Sequence, residues 1–271
     1  MSQQDPILYT ERLTKRFGNI HAVEDVDFEV RDGEVMALVG DNGAGKSTLI
    51  KMLCGVHEPT SGEIFVGGES VSFDDYNDAR AHGIETVYQE LALAPNQTVA
   101  ANVFLGHEPT RMGRVGRWLR LVDEERMVEE AKTNLDRVKI PVDPEAKVKN
   151  TSGGQQQAVA IARALQSNPD ILIMDEPTSA LSIEGARNVL RVIDDLRDQG
   201  LTIVLISHNI RHVLGIADRV SVLAQGRLMG VREADEVTRN EIIALMMGAE
   251  DESEFEEFDL SRTTDSEETT A

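Results

Sequence analysis

The run Gly40-Asp41-Asn42-Gly43-Ala44-Gly45-Lys46-Ser47-Thr48 has the spacing G-x-x-x-x-G-K-[ST]. Glycines so placed permit a tight turn whose backbone N–H groups point at phosphate oxygens, and a helix that follows adds the positive end of its dipole. Lys46 is then suited to the β- and γ-phosphates of a nucleotide such as ATP, and the Ser47 hydroxyl to Mg²⁺. A second candidate is Met174-Asp175-Glu176, where two carboxylates end an apolar run that starts at Ile171. At the carboxyl end of a buried strand they would lie beside a phosphate site. Asp175 suits Mg²⁺, directly or through water, and Glu176 suits a base that polarises the attacking water. A strand ending in two acids is common by itself; the phosphate loop is what gives the pair chemical meaning.

These groups need a scaffold, and the sequence predicts one. Short β-like runs cover Ile7 to Leu13, Ala22 to Val30, Glu34 to Val39 and Gly62 to Val66. Val35 to Val39 is continuously apolar, as expected of a strand buried on both faces, and a helix from Lys46 to Cys54 follows the glycine-rich turn. From about Leu93 to Ser167 the β signal fades. Met127, Ala131 and Leu135 recur at helical spacing after a cap at Asp123, and Val159, Ala162 and Leu165 mark a second helix after Ser152. Strands at Ile171 to Met174, Thr202 to Ile206 and Arg219 to Ala224 then alternate with helices at Ile183 to Asp198 and Arg239 to Met247. The expected division is residues 1–248 as one α/β domain, with a helical subdomain inserted at about 93–168. An acidic, Ser/Thr-rich tail at 249–271 is too poor in apolar surface to fold alone.

With Thr151-Ser152-Gly153-Gly154-Gln155 the chain resembles the ATPase subunits of the ATP-binding cassette (ABC) family, whose signature usually reads L-S-G-G-Q. Thr151 stands where leucine is usual, outside the Ser-Gly-Gly core. Other positions match in order: Gln89 at the glutamine loop, Ser179-Ala180-Leu181-Ser182 at the loop that crosses the dimer, and His208 at the switch histidine. Phe17 matches the aromatic that stacks on adenine. The resemblance covers roughly Ile7 to Gly248. It implies the ABC ATPase fold, a P-loop core carrying an antiparallel β subdomain and an inserted α-helical subdomain. It also implies that two chains sandwich two ATP molecules head to tail, the loop of one facing Ser152, Gly153 and Gly154 of the other. Gln155 would belong to the same nucleotide-facing motif, and Gln89 would join Ser47 and Asp175 at Mg²⁺. Glu176 would orient the water, His208 would sense the γ-phosphate, and Gln89 would link the nucleotide to a membrane partner.

Within the family, Tyr88 to Pro95 and Asn102 to Gly106 look most like the carbohydrate-import ATPases. Many of those carry two fused cassettes, and this chain has one. The resemblance therefore implies import of a small solute such as a sugar, through integral membrane permease subunits fed by an extracellular substrate-binding protein. The second ATPase subunit would be another copy of this chain, and the dimer would sit on the cytoplasmic, inner face of the membrane. The competing readings are a soluble cassette ATPase acting on ribosomes or DNA, a non-hydrolysing nucleotide-binding module, and a small-molecule kinase.

Composition narrows the field. The 271 residues carry a formal charge of −21, and the last 23 hold ten acidic residues and one arginine. No basic stripe exists to neutralise phosphates, so nucleic-acid partners are not expected. Seven lysines beside 20 arginines, with acidity spread over the whole chain, are read as a surface adapted to high salt. The single cysteine, Cys54, sits in an apolar stretch and excludes a disulfide framework or a multi-cysteine zinc site. No uncharged run is long and apolar enough to span a membrane, and the N-terminus lacks the pattern of a signal peptide, so a cytoplasmic protein is expected.

Overall fold

The structure, a computed structural model, describes residues 5–111 and 121–249. Apart from Ala249, the segment expected to be an acidic tail lies outside the described residues. In chain order the first elements are β1 (Pro6–Phe17), β2 (Ile20–Val26), β3 (Glu29–Arg31), β4 (Val35–Val39), α1 (Lys46–Leu53), β5 (Ser61–Val66) and β6 (Glu69–Val71). Next come α2 (Tyr76–Ala81), β7 (Ile84–Val87), α3 (Val99–Val103), α4 (Glu124–Val138), α5 (Gly153–Leu165), β8 (Ile171–Asp175) and α6 (Ile183–Asp198). The chain closes with β9 (Thr202–Ile206), α7 (Ile210–Leu214), β10 (Arg219–Ala224), β11 (Arg227–Glu233) and α8 (Arg239–Met246). Two compact units divide these elements, one holding the described residues up to Ala79 and from Val204 onward, the other Arg80–Ile203.

In the first unit an antiparallel sheet runs in the order β2-β1-β5-β6, with β3 also paired to β1. The expected single run from Ala22 to Val30 is two strands, and the physical reason is local. Asp25 takes a left-handed backbone (φ 48) one residue before β2 ends at Val26. The Thr10 hydroxyl then bridges the break, donating to the Val26 carbonyl at 2.9 Å and accepting from the Phe28 N–H at 2.9 Å. The same unit holds strands in the order β11-β10-β4-β9. All five residues of β4 are buried, and it runs parallel to β10 with Val39 opposite Val222. One face of this pair, with Ala37, Val39, Val220 and Val222, packs on Ile210 and Val213 of α7 and on Ile242 and Leu245 of α8.

Arg219, at the start of β10, gathers acids from three other places in this unit. Its guanidinium lies 3.2 Å from Glu29, 3.3 Å from Glu34 and 3.9 Å from Glu233. Arg219 and Glu34 are both 8 % exposed. Burial pushes the Glu34 carboxyl up, against the pull of the Arg31 N–H it accepts and of the Arg219 charge. Two residues on, the Ser221 hydroxyl is fully buried without a hydrogen-bond partner. Ser221→Ala is therefore expected to stabilise the protein by about 1 kcal/mol, seen as a raised Tm, because an unsatisfied buried hydroxyl is removed with little loss of packing.

In the second unit β7 and β8 run parallel, Ile84 opposite Ile171 and Val87 opposite Met174. Helix α4 begins where expected: the Asp123 side chain accepts from the Arg126 N–H, and Met127, Ala131, Leu135 and Val138 are buried. In α6, Ser182 caps the Gly185 N–H, and Ala186, Val189, Val192, Ile193 and Leu196 form the buried stripe. Among the described residues, no helix is long and apolar enough to cross a membrane.

Candidate functional site

The chain folds the phosphate-loop sequence as an open cradle between β4 and α1. Gly43 and Gly45 have φ of 85 and 105, which side-chain-bearing residues rarely adopt. A Cβ on Gly45 would stand 2.4 Å from the Ala22 carbonyl, and one on Gly40 would stand 2.2 Å from the Leu223 carbonyl. The loop is therefore clamped from both sides by backbone. The Gly226 N–H donates to the Ala44 carbonyl at 2.9 Å, and the Glu24 N–H to the Gly226 carbonyl at 2.8 Å. Sequence reasoning missed this Gln225-Gly226 turn, whose signal was only a polar residue and a glycine between two apolar runs.

Helix α1 has no side-chain cap and no acidic residue in its first turn, the arrangement that leaves a helix N-terminus receptive to an anion. The Lys46 ammonium folds back along the loop, donating to the carbonyls of Gly40 at 2.7 Å and Asp41 at 3.0 Å. Asp41, Asn42, Gly43 and Ser47 are exposed, Ala44 is buried, and Thr48 donates its N–H to the Gly45 carbonyl. Phe17 ends β1 on the hairpin that leads into β2 and Ala22. Its ring is 44 % exposed, meets His57 edge-on at 5.4 Å and has the Lys15 ammonium 5.4 Å from its centre. In the same unit His208 is exposed two residues past the end of β9, the neighbour of β4.

The second unit brings the other candidates together in two places. Because β7 and β8 are parallel and in register, Gln89 and the pair Asp175 and Glu176 emerge at the same end of adjacent strands. Glu176 has a left-handed backbone (φ 51), a strained state for a non-glycine residue. Its carbonyl is pinned by the Ser179 N–H at 3.2 Å and the Ser179 hydroxyl at 3.0 Å. Such strain, held by the following turn, fixes the direction in which the carboxylate leaves the chain.

The other place is the start of α5. Ser152 and Gln155 form a capping box: the Ser152 hydroxyl accepts from the Gln155 N–H, and the Gln155 side-chain oxygen accepts from the Ser152 N–H at 2.9 Å. The Gln155 amide nitrogen donates to the Pro141 carbonyl at 2.9 Å. Both ends of that amide are thus engaged in shaping the loop. A Cβ on Gly153 would come 3.1 Å from the Leu181 side chain. A cavity of about 660 Å³ is lined by Ser152 to Gln155 and by Leu181, Ser182 and Gly185, so the amino ends of two helices border one space. Glu184, in the first turn of α6, also lines it.

The donor chemistry also fits Mg²⁺. Ser47, Gln89 and Asp175 offer a hydroxyl, an amide oxygen and a carboxylate, the hard oxygen ligands that this ion takes beside phosphates. No group of three or more His, Cys, Asp or Glu able to hold a metal occurs among the described residues.

Comparison with known proteins gives the family. The chain is 42 % identical over 250 residues to the fructose import ATP-binding protein FrcA of Rhizobium meliloti, covering 92 % of this chain and 96 % of that one. It is 43 % identical over 250 residues to the ribose import ATP-binding protein RbsA 1 of Rubrobacter xylanophilus, covering 92 % of this chain but spanning about half (48 %) of that longer protein. A crystal structure of a nucleotide-free ATP-binding cassette from an ABC transporter superimposes with a TM-score of 0.78 at 25 % identity, over 90 % of this chain and 99 % of the other. The ABC transporter family profile matches residues 23–179, more than half the sequence, and with these relatives it makes the chain a member of the ABC transporter family.

Proposed function

We propose that this chain is the ATP-hydrolysing subunit of an importer, that its cargo is a sugar, and that it works as a head-to-tail dimer on the cytoplasmic face of a membrane permease. The observation that carries the reading is the backbone cradle before α1, uncapped and free of first-turn acids, with Lys46 lying along it. Two relatives at 42 % and 43 % identity are fructose and ribose import ATP-binding proteins, which supports a sugar as cargo. An external binding protein would deliver that sugar to the permease.

Phosphoryl transfer needs little covalent help, so rate comes from positioning and charge stabilisation. Backbone N–H groups of Gly40 to Thr48 and the Lys46 ammonium hold the phosphates of ATP, and Phe17 stacks on the adenine. Lys46 exchanges its loop carbonyls for phosphate oxygens as the nucleotide enters. Glu176 accepts a hydrogen bond from the attacking water and takes up its proton as the water oxygen attacks. The water oxygen bonds to the γ-phosphorus as the bond to the β-phosphate oxygen breaks, leaving ADP and phosphate. His208 holds the γ-phosphate side of this arrangement. Ser152, Gly153 and Gly154 of a second copy bind the same γ-phosphate at the start of their helix, so hydrolysis loosens the dimer. Bound by Ser47, Gln89 and Asp175, Mg²⁺ would neutralise phosphate charge.

Co-purification from the native membrane tests the reading. The tagged chain is expected to bring down integral membrane subunits and to be required for ATP-driven uptake of a labelled sugar. Recovery with ribosomes or DNA, and uptake unaffected by its loss, would overturn it.

A further inference from the structure

The segment from Tyr88 to Ala94 contains no helix or strand, so its backbone carbonyls have no ladder to join. Two of them, at Leu91 and Ala92, are taken by one side chain. Arg163 donates to the Leu91 carbonyl at 2.7 Å and to the Ala92 carbonyl at 3.1 Å. Ala92 itself has a left-handed backbone (φ 47), which turns its carbonyl out of an extended path. Arg163 lies in the last turn of α5, the helix that opens at Ser152-Gly153-Gly154. Burial lowers the Arg163 pKa, and the charge of Glu85 opposes that shift. Glu85 is itself held by Arg80 at 3.0 Å and by the Ser167 hydroxyl at 3.0 Å. Glu85 is thus held in place near Arg163, and the guanidinium fixes the chain two and three residues after Gln89.

We propose that Arg163 is a positioning residue for ATP hydrolysis, tying the segment after Gln89 to the helix that carries Ser152-Gly153-Gly154 so that either one moves only with the other. A planar fork on two successive carbonyls sets direction as well as distance, and a helix of 13 residues carries displacement along its length with little bending. The proposal rests on the ATPase reading above. Gln89 touches the nucleotide or its metal in that reading; Arg163 acts only through it.

The test is a double-mutant cycle on the full-length chain with Mg-ATP, comparing Arg163→Ala, Gln89→Ala and the two combined, with Arg163→Lys as the charge-keeping variant. Arg163→Ala is expected to lower kcat by about tenfold or more, with KM for ATP changed by no more than about twofold, because a misplaced group costs rate while the binding loop is untouched. Adding Arg163→Ala to Gln89→Ala should slow the enzyme little further, and Arg163→Lys should recover part of the loss. Losses that multiply, a kcat at the level of the unmodified chain in Arg163→Ala, or a loss that tracks the unfolded fraction would overturn the proposal. Hydrolysis absent from the unmodified chain would instead overturn the ATPase reading and this proposal with it.

Discussion

Glu176→Gln is expected to lower ATP turnover by about a hundredfold or more while ATP still binds, the scale of losing a positioned general base. The substitution keeps the size and shape of the side chain, and both residues meet the same left-handed backbone at this position, where φ is 51. The Ser179 bonds that pin the turn go to the Glu176 carbonyl and are left intact. Stability should therefore be nearly unchanged, which a Tm comparison checks. ATP binding, measured by fluorescence of a nucleotide analogue, should persist because Lys46, the loop and Phe17 are untouched. In the head-to-tail reading this variant also collects as an ATP-bound dimer, since the γ-phosphate that joins the copies is no longer removed. Turnover within about tenfold of the unmodified chain would take Glu176 out of its role, because that loss is smaller than general-base catalysis supplies.

Arg219→Ala is expected to cost about 3–5 kcal/mol of folding stability, the range for breaking a buried ion pair from one side. The size follows from what remains: Glu34 is 8 % exposed and loses its buried partner, while Glu29 and Glu233, both nearly half exposed, lose less. The pH dependence has a definite sign. Burial raises the Glu34 pKa in the folded protein above its unfolded value. A raised carboxyl contributes stability that is fully present below the unfolded pKa and is lost as pH rises through the folded one. Without Arg219 that pKa rises further. The deficit of Arg219→Ala should thus be largest at neutral pH and shrink in mild acid, where Glu34 takes up its proton. Urea unfolding at two pH values reads this directly, and a deficit independent of pH would exclude Glu34 as the cause.

Much of this fold was legible because local signals agreed with one another. Val35–Val39, Thr202–Ile206 and Arg219–Ala224 are continuous or nearly continuous apolar runs, and they form β4, β9 and β10 at those bounds. Helix α6 falls at the expected bounds, Ile183–Asp198. Strand β11 was not legible. Its residues Arg227 to Glu233 show no alternation, and none is buried, because it lies at the edge of its sheet. The break between β2 and β3 was hidden for another reason, since it depends on the Thr10 hydroxyl from a different strand.

The candidate site divides in the same way. The phosphate loop, the Asp-Glu pair and the Ser-Gly-Gly turn declare themselves by residue type and spacing. Contacts between residues far apart along the chain, in the site or away from it, do not. Arg219 meets Glu29 and Glu34 across 190 and 185 residues of chain, and Arg163 meets Leu91 and Ala92 across 72 and 71. A sequence read along its length shows Arg163 as a polar interruption in an apolar helix. The two roles of the Gln155 amide, as cap and as anchor of Pro141, also require the folded chain.

The central claim is that one chain supplies half of each catalytic site. Phosphate release from Mg-ATP, measured against concentration of the purified chain with its mass in solution followed in parallel, tests that most directly. The account predicts that activity per chain rises with concentration as ATP-dependent dimer appears, and that dimer and activity share one midpoint. Activity per chain that stays constant while the protein remains a monomer would contradict it.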